Sequence, residues 1–449
     1  MNRSLFIFRR DMRVADNSAL LQAAAESDEV IACFIFDPAI LERFRGHERR
    51  LLFLVQSIED LDRQVTECGG SLRIFNGNPV DVVEQLFQQK RIDAVYINRD
   101  YTPFARRRDS ALKRACERYG GRLSVSADAL LNEPEAVLKS DGTPYVVFTP
   151  YHRAALAHKI NQPEYERPAN LAGINVPGYS LAEADVPQPP VTSPIIGGRD
   201  RAIDILRHID ALEDYEEDRD YPARSGTSRL SAHLKFGTCS VREAHHQISG
   251  ALGTSHPLLR QLHWRDFFTQ VGFHFPHVFG HAFRRQYDAI PWTGTDEAFD
   301  SWCRGETGFP IVDAAMHELI ATGYMHNRAR MIVASFLVKN LHVDWRAGEA
   351  VFAKHLIDYD PAVNNGNWQW AASTGCDAQP YFRVFNPWRQ QRRFDPDASY
   401  IKTWLPALAE WSATDIHGLE KHPSGYLPQI VDLKTSAAEI KERFKQASR

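Results

Sequence analysis

Short apolar runs rich in β-branched residues alternate with segments of helical periodicity over the first 130 residues. The apolar runs cover residues 4–8, 30–36, 72–75, 94–98 and 123–126. The helical patterns between them cover residues 17–27, 47–67, 79–90 and 104–118. This alternation predicts βαβ units and a parallel sheet with helices on both faces. The turn after the first run, RRDMRVAD, lacks GxGxxG glycines, so we expect a Rossmann-like domain at 1–130 that binds no dinucleotide at the usual place.

Prolines break the pattern in the next part of the chain. Between residues 161 and 194 they stand at Pro163, Pro168, Pro177, Pro187, Pro189, Pro190 and Pro194. Such a span cannot form a regular element, so we predict a connector between domains over 131–197. Beyond it, apolar residues recur at helical spacing in 199–209, 240–249, 256–275, 310–322, 327–341 and 348–357. The pattern therefore predicts an α/β domain followed by an all-α domain at 198–449.

Composition restricts the partners and the compartment. The 449 residues include 53 Lys and Arg against 57 Asp and Glu, a formal charge of −4. A local basic patch must therefore meet any anionic partner. Six cysteines lie without CxxC spacing, and the opening MNRSLFIFRRD has no apolar core of a signal peptide. We expect a cytoplasmic monomer with free thiols, no bound metal and no membrane segment.

Polar and aromatic side chains are concentrated in DYDPAVNNGNWQWAAS, residues 358–373. Two carboxylates, three asparagines and two tryptophans are unusual in a core helix, because each buried amide needs a hydrogen-bonding partner. Such a set suits a planar heterocycle with donors and acceptors, either an isoalloxazine ring or a nucleobase.

A basic stretch follows within residues 381–402. Its cations are Arg383, Arg389, Arg392, Arg393 and Lys402. Only Asp395 and Asp397 oppose them, and Trp388 and Phe394 lie between them. This combination is typical of a nucleic-acid groove, although a basic loop is common. Three further stretches, 221–231, 263–268 and 325–331, each have an ordinary structural explanation when taken alone: a helix N-cap, core packing and a solvated helix end.

Taken together, these stretches resemble a known family. GTSRLS, WRDFF, TGFPIVDAAM, MHNRARMIVASFL, LIDYDPAVNNGNWQWAASTG and FDPDASYIKTWLPAL, in this order, closely resemble the photolyase/cryptochrome family. The similarity is strongest to the class I photolyases of cyclobutane pyrimidine dimers, and FRRDMRVADNSAL extends it to the N-terminus. The resemblance implies FAD in the helical domain and light-driven repair of such dimers in UV-damaged DNA, by electron transfer from excited reduced FAD to a flipped-out lesion.

The resemblance also assigns residues around the flavin. The FAD contacts that it implies are Tyr215, Thr227, Ser228, Arg229, Leu230, Ser231, Arg265, Asn327, Arg330, Asp358, Asp360 and Asn364. The electron-transfer chain that it implies runs from beside the flavin to the surface through Trp368, Trp345 and Trp292. Asn364 matches the asparagine that faces flavin N5 in photolyases. Plant cryptochromes carry an aspartate there, so Asn364 favours repair over signalling.

The resemblance places two further sets of residues. Those matching the contacts to DNA and lesion are Arg219, Gln261, Trp264, Asn327, Arg328, Met331, Trp370 and Arg389. A second, light-harvesting chromophore is implied by Arg50, Asp100 and Lys235, which match members that carry a deazaflavin. Folate, FMN or an empty site are the alternatives.

Two positions depart from the class I pattern. Gln261 replaces a glutamate and Asn367 replaces a glycine, and both are typical of (6-4) photolyases. However, Asn327 and Met331 occupy the positions of two histidines that (6-4) repair needs for proton transfer. We therefore predict dimer repair, with (6-4) repair and a blue-light receptor without repair activity as alternatives. An ordinary flavin oxidoreductase is disfavoured because the nicotinamide fingerprint is missing.

Overall fold

The structure is a computed structural model that describes residues 2–448, apart from the side chain of Arg43. Its first part contains one five-stranded parallel sheet in the order β3-β2-β1-β4-β5. The strands are β1 Arg3–Phe8, β2 Glu29–Phe36, β3 Arg73–Asn76, β4 Ala94–Asn98 and β5 Arg122–Ser126. In the central strand, Leu5 pairs with Ile31 on one side and Val95 on the other. All three are fully buried, as expected where helices cover both faces.

Five helices connect and follow these strands. They are α1 Ser18–Glu26, α2 Pro38–Phe44, α3 Glu48–Glu67, α4 Pro79–Gln88 and α5 Pro103–Arg118. The predicted strands and helices are confirmed to within two residues. Helix α2 was not predicted, because seven residues are too few to show a helical period. Its one signal was Asp37 before Pro38, since Asp37 accepts a hydrogen bond from the Ala39 amide as an N-cap.

The proline-rich segment contains neither helix nor strand from residue 161 to 198, as predicted. It is tied to the sheet by isolated bridges, in which Leu171 pairs with Val30 and Tyr179 with Ile74. The wider connector predicted at 131–197 does include one helix, α6 Phe148–Ala155.

The rest of the described chain is helical. Its helices are α7 Arg199–Arg207, α8 Tyr215–Asp218, α9 Ser231–Phe236, α10 Val241–Leu252, α11 Pro257–His274, α12 Asp296–Arg304, α13 Pro310–Thr322, α14 Asn327–Lys339, α15 Trp345–His355, α16 Pro361–Ala372, α17 Pro387–Phe394, α18 Ser399–Trp404, α19 Ala413–Gly418 and α20 Leu433–Ala447. All six predicted helical segments are present. Over the described residues, none of the helices is both long and apolar enough to cross a membrane.

By packing, the chain divides into two compact units. The first comprises residues 1–144, 149–211 and 228–273, and the second comprises 145–148, 212–227 and 274–449. The domain boundaries after 130 and 197 stay predictions, and the packing units follow a different division. Helices α7, α10 and α11 pack in the first unit, where polar contacts join each of them to another part of it: Arg199 to Asp60, Arg242 to Asp16, and Asp266 to the Asn132 amide.

One buried ion network shows how this attachment works. The Arg13 guanidinium donates to both oxygens of Asp128, at 2.6 and 2.8 Å, and only 1% and 3% of the two side chains is exposed. Arg242 of α10 reaches the same carboxylate at 2.9 Å and Asp16 at 3.0 Å. These pairs hold α10 to the loop after β1. Helix α10 itself begins with a capping box of Ser240 and Glu243.

We expect Asp128→Asn to lower the free energy of unfolding by about 3 kcal/mol or more, because two buried guanidinium groups then lose their shared counter-charge. Urea unfolding of the full chain measures this loss. Asp397→Asn, at an exposed carboxylate, is the matched control. Equal unfolding midpoints for the two variants would show that the network does not stabilise the first unit.

Candidate functional site

A fixed cation stands near the start of α14 in the second unit. Arg330 donates to Asp358 at 2.9 and 3.3 Å and to the carbonyl oxygen of Met325 at 2.8 Å. Burial acts to lower the pKa of Arg330, but Asp358 acts against it and the pKa is raised overall. The guanidinium is therefore charged, and three hydrogen bonds fix its position. The structure thus brings together Arg330 and Asp358, two of the FAD contacts that the resemblance implied.

Helix α16 starts from a strong cap and presents an amide one turn later. Asp360 accepts hydrogen bonds from the amides of Ala362 and Val363, and Pro361 follows it at the first helical position. The Nδ2 atom of Asn364 donates to the carbonyl oxygen of Glu349 at 3.3 Å. Its Oδ1 atom has no partner among the described residues and remains available to a hydrogen-bond donor.

The three tryptophans of the predicted electron-transfer chain lie in the second unit. Trp345 and Trp368 are buried, whereas Trp292 is partly exposed. Within the described part of the chain, none of their indole N–H groups has a hydrogen-bond partner. The Trp368 ring lies 4.9 Å from Phe352 and 6.3 Å from Trp302, centroid to centroid and edge-on to both. Trp302, which no sequence motif indicated, thus packs directly against a predicted redox residue.

Two buried titratable groups next to α16 were also missed. Burial raises the pKa of Glu349 to about 7, against the opposing effect of a 3.1 Å hydrogen bond from Asn365. Burial lowers the pKa of Lys339 to about 7. Lys339 donates to the carbonyl oxygen of Ala372 at 3.2 Å and to Ser373 Oγ at 2.9 Å.

The three arginines among the predicted DNA contacts differ in their surroundings. Arg328 forms an ion pair with Asp220 at 2.7 Å and lies 4.2 Å from the centre of the Phe394 ring. Arg219 lies 5.7 Å from the Tyr215 ring centre, and Arg389 is exposed on α17. Any anionic partner of Arg328 would have to compete with the carboxylate of Asp220, whereas Arg389 is accessible.

The remaining DNA-contact candidates of the second unit lie on α14 and α16. Trp370 is partly buried against the hydrophobic core. Asn327 Nδ2 lies 3.8 Å from Met331 Sδ, so these two side chains are adjacent, as their i, i+4 spacing requires. Asn367 donates to the carbonyl oxygen of Val363 within its own helix at 2.8 Å.

Other predicted FAD residues lie in the first unit. Ser228 and Arg229 precede α9, and Arg229 adopts a left-handed backbone conformation with φ 53°. Leu230 and Ser231 form the start of that helix. Arg265 of α11 donates to carbonyl oxygens of Ala129 and Leu234. Tyr215 and Thr227 belong to the second unit. The structure therefore divides the predicted FAD residues between the two units.

Gln261 and Trp264 share one face of α11, since they are three residues apart. The Trp264 ring packs 5.6 Å from Phe267 and 5.3 Å from Phe268. Gln261 is partly exposed, and its amide makes no hydrogen bond to another described residue. An amide with free donor and acceptor atoms next to an indole is suited to bind a base edge.

A charged cluster lies at the carboxyl ends of β1 and β4. Asp100 is buried, which acts to raise its pKa, but Arg10, Arg108, Lys235 and Arg9 hold that pKa down at about 2. Asp100 lies 3.5 Å from Arg10, and Lys235 is among the cations that lower its pKa. Two of the predicted chromophore residues, Asp100 and Lys235, therefore belong to one cluster.

Arg9, Arg10 and Asp100 of this cluster had a sequence signal that was overlooked. FRRD and NRD each begin at the last residue of one of two neighbouring parallel strands, and the carboxyl ends of such strands meet at one edge of the sheet. Arg50, the third predicted chromophore residue, is buried on α3, where its guanidinium lies 5.9 Å from the Phe44 ring centre.

Comparisons with known proteins cover both parts of the chain. Residues 4–169 match the family described as DNA photolyase, and residues 258–446 match the FAD binding domain of DNA photolyase. The deoxyribodipyrimidine photo-lyase of Synechococcus sp. is 35% identical over 467 aligned residues, 98% of this chain and 96% of that protein.

Solved structures are similar over the full length. An archaeal photolyase from Sulfolobus tokodaii with two FAD molecules is 39% identical, with a TM-score of 0.89 over 99% of this chain and 100% of that chain. A Synechocystis sp. cryptochrome is 26% identical, with a TM-score of 0.88 over 98% and 99%. These similarities define a flavin-binding protein with an α/β part and a helical part.

The chain belongs to the DNA photolyase family. The resemblance seen in the sequence motifs, the predicted fold class and the prediction of an enzyme of this family are confirmed.

We expect Glu349→Gln to remove a pH dependence of stability. Because the pKa of Glu349 is raised from 4.5 to about 7 on folding, its contribution is complete below pH 4.5 and is lost as pH rises through about 7. The variant should therefore gain stability over the parent between about pH 5 and pH 8, as measured by urea unfolding. Glu410→Gln, at an exposed carboxylate, is the control. A stability difference that does not change with pH would contradict this assignment.

Proposed function

We propose that this chain repairs cyclobutane pyrimidine dimers in UV-damaged DNA in a light-driven reaction. Bound FAD, once reduced and excited, supplies the electron that opens the cyclobutane ring. The observation that carries the proposal is the presence in one compact unit of a charged guanidinium at Arg330, held by Asp358, and a free amide oxygen at Asn364.

These residues fit an isoalloxazine ring. The Asn364 amide is held by the Glu349 carbonyl group, so its Oδ1 atom suits the N5–H group of a reduced flavin. The guanidinium of Arg330 favours an anionic ring, and Asp358 keeps it in place. Asn364 is neutral and has no acidic proton to transfer, unlike the aspartate at this position in plant cryptochromes. This difference supports repair over signalling.

The choice of the cyclobutane dimer over the (6-4) photoproduct rests on which side chains can transfer a proton to the lesion. Asn327 and Met331 have no titratable group, so neither can act as the general acid that a (6-4) photoproduct requires. A thymine dimer needs hydrogen-bonding partners for its carbonyl and N–H groups, which the free amide of Gln261 supplies. Trp264 next to it offers a stacking surface for the extruded bases.

DNA binding rests on a local patch, because the whole chain carries a charge of −4. Arg383, Arg389, Arg392 and Arg393 are all exposed in the basic stretch of the second unit. Exposed guanidinium groups bind backbone phosphates without sequence preference. The dimer is selected because its extrusion from the duplex costs less than that of intact bases.

A second chromophore is proposed at the charged cluster of the first unit. Asp100 is ionised and surrounded by Arg10, Arg108 and Lys235, so the cluster offers both acceptors and cations to a polar ring system. A deazaflavin is favoured, and folate or FMN are alternatives. The Sulfolobus tokodaii photolyase with two FAD molecules, for which a novel light-harvesting cofactor was implicated, adds FAD to these alternatives.

The substrate proposal is tested with two oligonucleotides, one carrying a cyclobutane dimer and the other a (6-4) photoproduct. We expect the reduced enzyme under illumination to restore only the first, with no repair in the dark.

Gln261→Glu should change dimer repair by less than about tenfold, since one hydrogen-bonding group replaces another, and should make it pH-dependent.

The other outcomes of this assay are equally informative. Restoration of only the (6-4) oligonucleotide would contradict the proposal and show that the (6-4)-like residues Gln261 and Asn367 indicate the substrate correctly. Restoration of neither lesion by enzyme that holds FAD would favour a blue-light receptor.

We expect Trp368→Phe to abolish photoreduction of bound FAD and to leave dimer repair by chemically reduced enzyme largely intact. Reduction of oxidised FAD needs an electron that passes through the tryptophans. Repair by FAD that is already reduced needs no electron from these tryptophans. Absorbance under illumination with a thiol reductant measures the first activity, and the oligonucleotide assay measures the second. Equal loss of both activities would exclude this role for Trp368.

A further inference from the structure

Gly348 lies in the middle of α15 at a position where any side chain would collide. A Cβ atom there would lie 2.5 Å from Cζ3 of Trp368 and 2.5 Å from Cδ2 of Leu337, and closer still to Cη2 of Trp368. Gly348 is not among the glycines with positive φ, so its backbone does not require glycine. Glycine in a helix interior is less favourable than alanine. What the position needs is the space.

The space at Gly348 lies on the same face of α15 as Trp345, the next tryptophan of the proposed electron-transfer chain. Trp345, Gly348 and Phe352 lie at i, i+3 and i+7, so they form one stripe along the helix. The six-membered edge of the Trp368 indole lies on Gly348, and its ring meets Phe352 edge-on at 4.9 Å. Trp368 therefore rests on α15 one turn from Trp345. The absent side chain sets how closely the two helices approach.

We propose that Gly348 is a positioning residue for electron transfer between Trp345 and Trp368. This inference rests on the proposed photoreduction. In the step concerned, one electron passes from the Trp345 indole to the oxidised Trp368 indole. Trp368 is thereby reduced and Trp345 is oxidised. Trp292 then supplies Trp345, and a thiol in solution reduces Trp292. Because electron transfer weakens exponentially with distance, displacement of the Trp368 ring slows this step.

The first test is photoreduction of Gly348→Ala in the full chain with bound FAD. We expect its rate to fall by about tenfold or more, since displacements on the order of an ångström are costly where geometry is fixed. Dimer repair by chemically reduced enzyme should be retained. The matched control is Gly250→Ala in α10, where a Cβ meets nothing within 4 Å. An unchanged photoreduction rate in Gly348→Ala would overturn the proposal.

The second test measures the contact itself and does not depend on photochemistry. Trp368→Phe removes the Cζ3 and Cη2 atoms that approach Gly348. We therefore expect Gly348→Ala to lower the urea midpoint clearly in the parent and much less in the Trp368→Phe background. Equal loss in both backgrounds would assign the collision to Leu337 and contradict the proposal.

The two tests also separate this inference from the proposed function. If Gly348→Ala does not fold but Gly348→Ala with Trp368→Phe does, the contact is supported; if neither folds, it is contradicted. If Trp368→Phe still photoreduces FAD, the proposed electron-transfer chain is wrong, whatever the unfolding experiments show. If Trp368→Phe is inactive but Gly348→Ala photoreduces normally, only the role of Gly348 is wrong.

Discussion

The buried amide side chains of α16 must be hydrogen-bonded, and the arrangement of the proposed flavin-binding face depends on how this is achieved. Asn365 donates to the carbonyl oxygen of Val278 at 2.9 Å and to Glu349 at 3.1 Å. Gln369, one turn later, donates to Asn365 and to two carbonyl oxygens of the 278–281 loop, and accepts from the Phe283 amide. Unpaired, each amide would cost a few kcal/mol. These bonds therefore fix the rotation of α16 about its axis.

Once the rotation of α16 is fixed, the side chains on the adjacent face of this helix point in a fixed direction. Asn364 and Trp368 are four residues apart, so they share a face next to the stripe of Asn365 and Gln369. Glu349 of α15 is hydrogen-bonded to both stripes of α16. Its carboxylate accepts from Asn365 and its backbone carbonyl oxygen accepts from Asn364. The same glutamate thus links the buried network to the amide proposed to face the flavin. Its burial, with no ion pair to it among the residues that the structure describes, explains why its pKa is raised.

Much of the fold and part of the site could be predicted, because the signals were local. Strand alternation located β1 to β5, and helical periodicity located α13, α14 and α15, since each pattern reflects one buried face. The carboxylates and amides of 358–367 were visible as an unusual composition. Asp360 as a helix cap was likewise readable, because a cap and its proline are adjacent in sequence. The family resemblance added roles that the residues alone left open between a flavin and a nucleobase.

The sequence by itself determined the five strands, the helices whose apolar residues recur at clear helical spacing, and the residue types that a polar ligand would meet. Only the tertiary structure decided the contacts between distant segments: Trp302 against Trp368, Lys339 on the last turn of α16, and Gly348 under an indole twenty residues away. It also decided that α7, α10 and α11 pack in the first unit. The physical reason is range. Periodicity and capping act within a few turns, whereas burial, pKa and close packing depend on which surfaces meet after the chain has folded.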